Sequence, residues 1–155
     1  MKKQNKNKAS FDIIDVHAHV FERICGFGRR GESVAIGDGN VRWANGEITK
    51  LLPEGFGDTS FSYSRLLQEM DKCEVSKAVI LQGSYYGFAN EYVYKAQKEY
   101  PDRFIGMGTF DPYCLNCHQI MNRLIDEFHF FGFKFEMSSS NGFMGYHPDF
   151  RIDGK

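Results

Sequence analysis

Residues 13–20 read Ile-Ile-Asp-Val-His17-Ala-His19-Val, a short apolar run that ends in a His-x-His pair. On a β-strand, residues two apart point to the same face. His17 and His19 are therefore expected to converge on one point, with Asp15 below them on the same side. Two imidazoles aimed together at the end of a buried strand suit a transition metal, zinc first among them. A second chemical pattern lies in Phe133-Lys134-Phe135-Glu136-Met137, which alternates strictly. If the phenyl rings pack on helices, Lys134 and Glu136 point inward together. Isolated buried charges are very costly, so the two need each other or a metal. Glu136 is then a candidate metal ligand or acid/base, and Lys134 a charge neutraliser. A structural ion pair accounts for the pattern equally well.

Cys114-Leu-Asn-Cys117-His118 matches the C-x-x-C-H haem-attachment pattern. Its context argues otherwise. No export signal precedes it, and it opens a crossover helix of a regular α/β pattern. Zinc would need a fourth ligand. A thioredoxin-like dithiol would follow a first strand rather than a third. Small cysteines packing near a helix start is the simpler reading. His129 is expected at a helix end, where the helix dipole favours it. No Gly-x-Gly-x-x-Gly, P-loop or Gly-x-Ser-x-Gly sequence follows any strand, which argues against nucleotide binding and a serine nucleophile.

The elements that must position these residues form a regular series. Four segments read as strands: 11–16, 78–82, 104–110 and 132–137. Leu66, Leu67 and Met70 repeat at helical spacing. Tyr92, Val93, Ala96 and Tyr100 do so as well, and Pro101 stops that helix. Met121, Leu124, Ile125 and Phe128 mark a third amphipathic helix. The order β-α-β-α-β-α-β, at strand spacings of about 27 residues, predicts parallel strands with right-handed crossovers. Gln82 and Asp111 close strands two and three. Carboxyl ends of parallel strands are where α/β sites collect, so both are candidate site-lining residues. The first crossover is longer. It holds Val41-Arg-Trp43 and Glu47-Ile-Thr49 around Asn45-Gly46, a hairpin signal. Loops of this length after a strand often carry binding function.

Composition bounds the class. The chain has 155 residues, 42% hydrophobic and 25% charged, the profile of one globular domain. Net charge is −1, and four of the positive charges are Lys2, Lys3, Lys6 and Lys8, which leaves −5 on residues 9–155. Such a balance speaks against a nucleic-acid surface. The basic start lacks the apolar stretch of a signal peptide, and no run approaches the ~20 residues of a membrane span. We expect a cytoplasmic protein with a disordered basic tail over residues 1–10 and four reduced cysteines.

Asp15-Val-His17-Ala-His19 at the end of a first strand, followed by βα units of this length, resembles the amidohydrolase superfamily. It looks most like the amidohydrolase-related branch that includes aminocarboxymuconate-semialdehyde decarboxylase. Tyr100-Pro-Asp-Arg-Phe-Ile-Gly106 and Gly132-Phe-Lys-Phe135 add to the likeness. The resemblance implies a (β/α)8 TIM barrel with a metal at the carboxyl ends of its strands, acting in C–N, ester or lactone hydrolysis or in non-oxidative decarboxylation. His17 and His19 would be the strand-one metal ligands. A bridging Lys or Glu on strand four would fall on Lys134 or Glu136. The family's His ligands on strands five and six, and its Asp on strand eight, have no counterpart here. Such barrels need ~250 residues, so residues 11–155 are expected to form an incomplete barrel, an amino-terminal half of about four βα units with a hairpin-containing insertion after strand one. His17, His19 and Glu136 could still make a His2Glu site with an open position for a small-molecule substrate or water. A half-barrel also leaves edge strands that invite a second copy or a missing carboxyl-terminal half. The alternative is a non-catalytic α/β assembly module.

Overall fold

In a computed structural model the structure describes residues 12–136. The expectations for the basic tail, for Met137 and for the segment from Ser138 onward lie outside these residues. The described part is mixed α/β. Three parallel strands, β1 (Ile14–Ala18), β6 (Lys77–Ile80) and β7 (Phe104–Gly106), lie in the order β1-β6-β7. Between β1 and β6 the chain builds a second, antiparallel sheet from β2 (Phe27–Gly28), β3 (Gly31–Gly37), β4 (Asn40–Trp43) and β5 (Ile48–Lys50), in sequential order.

The three helices form where periodicity predicts them. In α1 (Tyr63–Lys72), Ser62 caps the first turn by accepting the Arg65 N–H at 3.1 Å. Tyr63, Leu66 and Met70 make its buried stripe. The helix ends on Glu74 in the left-handed region (φ 58°), with the Val75 N–H returning to the Met70 carbonyl. In α2 (Asn90–Glu99), Val93 and Ala96 are fully buried, and the helix stops before Pro101. In α3 (Cys117–Asp126), Leu124 is the buried anchor. His129 follows at φ 54°. It is the residue that reverses the chain, beyond the dipole role assigned to it from sequence.

The main core lies between these helices and one face of the parallel sheet. Ala78, Ile80 and Phe104 of the sheet meet Leu66, Val93, Leu124, Phe128 and Phe130. Two glycines set the depth of this packing. A Cβ on Gly106 would sit 2.5 Å from the Phe130 ring, and one on Gly108 would sit 3.0 Å from the Phe133 ring.

The structure shortens the expected third strand, 104–110, to Phe104–Gly106, and corrects the fourth and the first as well. The fourth shrinks to a single parallel bridge, Gly108 to Phe133. It rests on two hydrogen bonds, Gly108 N–H to the Gly132 carbonyl and Lys134 N–H to the Gly108 carbonyl, both 2.9 Å. Among the described residues it has no neighbour on its other side, so no ladder propagates. The first strand carries a β-bulge. Asp15 is in register with Ala78 and Ala18 with Ile80, so three residues of β1 span two of β6.

The insertion is more than the predicted hairpin. The β4–β5 turn places Gly46 in the left-handed region at φ 89°, with its N–H on the Trp43 carbonyl at 2.8 Å. Phe21, Ile24, Ala35, Val41, Trp43 and Leu52 give the unit its own core, which takes in Tyr85 and Tyr86 from the loop after β6. Cys25 N–H reaches the Tyr86 carbonyl at 3.1 Å and Phe27 N–H the Ser84 carbonyl at 2.7 Å. Only glycine fits between these contacts at position 26. A Cβ there would lie 1.9 Å from the Tyr85 carbonyl oxygen, which is backbone and cannot swing aside. Gly26→Ala is therefore expected to cost about 1–3 kcal/mol, the usual range for overpacking, as a lower urea midpoint. An unchanged midpoint would mean that the insertion does not dock on the 83–87 loop.

Candidate functional site

His17 lies within the β1 bulge and His19 directly follows the strand. Their Nε2 atoms stand 3.1 Å apart. Two imidazoles on one tetrahedral zinc, with bonds of about 2.0–2.1 Å, place their nitrogens roughly 3.3–3.4 Å apart. The pair stands at hydrogen-bond distance, slightly inside the spacing that a shared metal would impose. His19 is held from behind. Leu81 donates its N–H to the Ala18 carbonyl at 2.9 Å, and the Leu81 carbonyl lies 3.0 Å from His19 Nδ1. That bond assigns the neutral ring's proton to Nδ1 and leaves the Nε2 lone pair facing His17. The Tyr86 ring flanks His19 at 5.0 Å, and Phe21 stacks on Tyr86 at 4.9 Å.

Lys134 and Glu136 enter the same cleft, a hollow of about 290 Å³ walled by His17, His19, Gly83, Tyr85 and Tyr86. The two charges point inward, while Phe133 and Phe135 pack edge-on to Phe110 at 5.1 and 5.3 Å. Lys134 Nζ contacts Glu136 Oε2 at 2.6 Å, and both side chains are about four-fifths buried, at 20% and 23% exposure. Gly83 makes room for the pair, since a Cβ there would fall 2.8 Å from Lys134 Nζ.

Other candidates sit elsewhere. Among the described residues no three His, Cys, Asp or Glu side chains gather as a metal-ligand group. Glu136 therefore does not complete a three-ligand set with the histidines. Its carboxylate is taken by Lys134. Asp15 does not line this cleft but a neighbouring hollow that it shares with Ala18 and His19. The bulge puts Asp15 and Ala18 on the helix side, in register with the fully buried Ala78 and Ile80. The Asp15 carboxylate instead accepts the His17 backbone N–H at 2.9 Å, within the bulge itself. Gln82 is buried and fully engaged. Its Nε2 donates to Asn90 Oδ1 and the Met107 carbonyl, both at 2.9 Å, and its Oε1 accepts the Ala89 N–H at 2.7 Å. It ties β6 to α2 and β7 and does not line the cleft. Asp111 lines a separate hollow of about 420 Å³ with Cys25, Phe27, Ser84 and Phe88, and accepts the Tyr113 N–H at 2.9 Å. Sequence reasoning passed over Tyr85 and Tyr86. The signal available was Gly83-Ser-Tyr-Tyr-Gly87 directly after a predicted strand.

No family model matches the chain, and no curated protein matches it. Among solved structures, the chain is similar to a probable 2-pyrone-4,6-dicarboxylic acid hydrolase from Acinetobacter baumannii with citric acid bound. Identity is 19%, over 72% of this chain and 33% of that one, with a TM-score of 0.41. It is also similar to 4-oxalomesaconate hydratase from Rhodopseudomonas palustris, at 18% identity over 49% of this chain and 27% of that one, with a TM-score of 0.40. The chain spans a third or less of the length of these two proteins.

Burial pushes the His19 imidazole down from 6.5 to about 4. Lys134 and His17 add to that direction, while the Leu81 carbonyl and Glu136 oppose it. The unfolded chain binds this proton near 6.5 and the folded chain only near 4, so between those values folding expels it. The stability tied to neutral His19 is full above pH 6.5 and drains as pH falls toward 4. We expect His19→Gln to flatten that part of the stability-versus-pH curve by on the order of 1–2 kcal/mol, allowing for the solvent that still reaches the ring. Thermal melts of both proteins across the interval check it, and parallel curves would contradict it.

Proposed function

We propose that this chain is a metal-dependent hydrolase-type domain of the amidohydrolase superfamily, with His17 and His19 holding one divalent metal, zinc first. The observation that carries this reading is the 3.1 Å approach of the two Nε2 atoms, with His19 Nδ1 fixed on the Leu81 carbonyl. Neutral imidazoles, one oriented by a backbone acceptor, are the donor set zinc prefers. A metal bound there would supply Lewis acidity toward a substrate carbonyl or carboxyl group.

The chain's own residues do the rest. Tyr85 and Tyr86 wall the cleft and exclude water from one side. Burial and the neighbouring Tyr85 raise the Tyr86 phenol, which keeps it protonated as a hydrogen-bond donor. Lys134 neutralises Glu136 in the resting cleft. A substrate carboxylate that drew Lys134 away would free Glu136 to accept a proton. The reaction class is hydrolysis of a C–N, ester or lactone bond, or non-oxidative decarboxylation, of a small molecule. A cytoplasmic setting belongs to the same reading, with all four cysteines present as free thiols. Among the described residues no helix is long and apolar enough to cross a membrane.

One observation favours a second reading, a non-catalytic assembly module. Among the described residues β1 pairs only with β6, and it exposes Ile14 and Val16, the latter at 68%. Under that reading a second chain covers β1 and the cleft holds no metal.

Zinc loading, dialysis and elemental analysis separate the two. The wild-type protein should retain close to one zinc per chain, and His17→Ala and His19→Ala should each retain at least about tenfold less, since even supporting residues of metal sites are worth 10–100-fold. Equal zinc in all three proteins removes the metal assignment. Light scattering that then shows a dimer without zinc would support the assembly reading.

A further inference from the structure

The Cys114-x-x-Cys117 pair stands apart from the cleft and from both cores' central residues. All four cysteines are free thiols, yet these two differ from Cys25 and Cys73 in their surroundings. Cys117 N–H donates to the Cys114 carbonyl at 3.1 Å, which closes a four-residue turn. Such a turn holds its end α-carbons within about 7 Å. Disulfides need α-carbons about 4.4–6.8 Å apart. The backbone thus already holds the two α-carbons near the separation that a disulfide needs.

The turn is also accessible. Leu115 at its apex is 98% exposed, and both cysteines are partly open to solvent. Cys117 is the first residue of α3 and packs against the main core, whereas Cys114 lies outside the helix. The Asn116 side chain caps nothing, and the first turn of α3 holds no acidic residue.

We propose that Cys114 and Cys117 form a vicinal dithiol that closes to a disulfide on reaction with a low-molecular-weight disulfide. The Cys114 thiolate attacks one sulfur of the reagent, forms a mixed disulfide and releases one thiol. The Cys117 thiolate then attacks the Cys114 sulfur, forms the internal S–S bond and releases the second thiol. The protein loses two electrons and two protons, and the reagent is reduced to two thiols. Cys25 and Cys73 are exposed and have no partner turn, so the same reagent should stop on them at the mixed disulfide.

Treatment of the protein with oxidised glutathione, then trypsin and mass spectrometry without reductant, tests this. The peptide Phe104–Arg123 contains both Cys114 and Cys117, while Cys25 and Cys73 fall in other peptides. The expected product is Phe104–Arg123 lighter by two hydrogens and free of glutathione, beside glutathionylated Cys25 and Cys73. Reduction should restore the original mass. In Cys117→Ser, Cys114 should retain glutathione. A wild-type Phe104–Arg123 peptide that keeps glutathione, or that keeps both thiols while Cys25 reacts, would overturn the proposal.

Discussion

The bond between His19 Nδ1 and the Leu81 carbonyl joins the sheet to the cleft. Leu81 donates its own N–H to the Ala18 carbonyl, so one residue both extends the β1–β6 pairing through its N–H and aims the ring through its carbonyl. A backbone acceptor is a firmer orienting group than a side chain, because it cannot rotate without breaking the ladder. The ring is then flanked by Tyr86, whose loop is fastened to residues 25–27 of the insertion. Sheet pairing, imidazole orientation and insertion docking are three links of one chain of contacts.

The Lys134–Glu136 pair occupies the opposite wall under different rules. A carboxylate about four-fifths buried must be neutralised, and the nearest cation is two residues away on the same face. That keeps the segment extended with almost no ladder beneath it. The alternation of Phe133, Lys134, Phe135 and Glu136 holds because two phenyl rings press on Phe110 from one side and an ion pair fills the space over Gly83 on the other. The geometry of strand four thus comes from side chains more than from backbone hydrogen bonds.

These two walls explain what the sequence could and could not convey. Periodicity located all three helices, the parallel segments and the inward face of residues 134 and 136, because those follow from local spacing. The position of Asp15 was misread because a bulge is invisible to a rule of two. One extra residue in β1 turns Asp15 to the helix side and frees the His17 N–H, which its carboxylate then takes. Gln82 was misread because its partners, Ala89, Asn90 and Met107, come from separate elements that only the fold brings together. The insertion's core was hidden for the same reason, since Tyr85 and Tyr86 come from beyond α1.

The bulge has a further consequence at the sheet's border. An outermost strand with a regular row of N–H and C=O groups is a template for any extended peptide, and proteins commonly interrupt such rows to discourage chance pairing. In β1 the interruption falls between Asp15 and Ala18, with one N–H already claimed internally. A stray strand laid along this border would lose register halfway. Among the described residues, the same irregularity that lies beside the two imidazoles therefore also interrupts the outer row of β1.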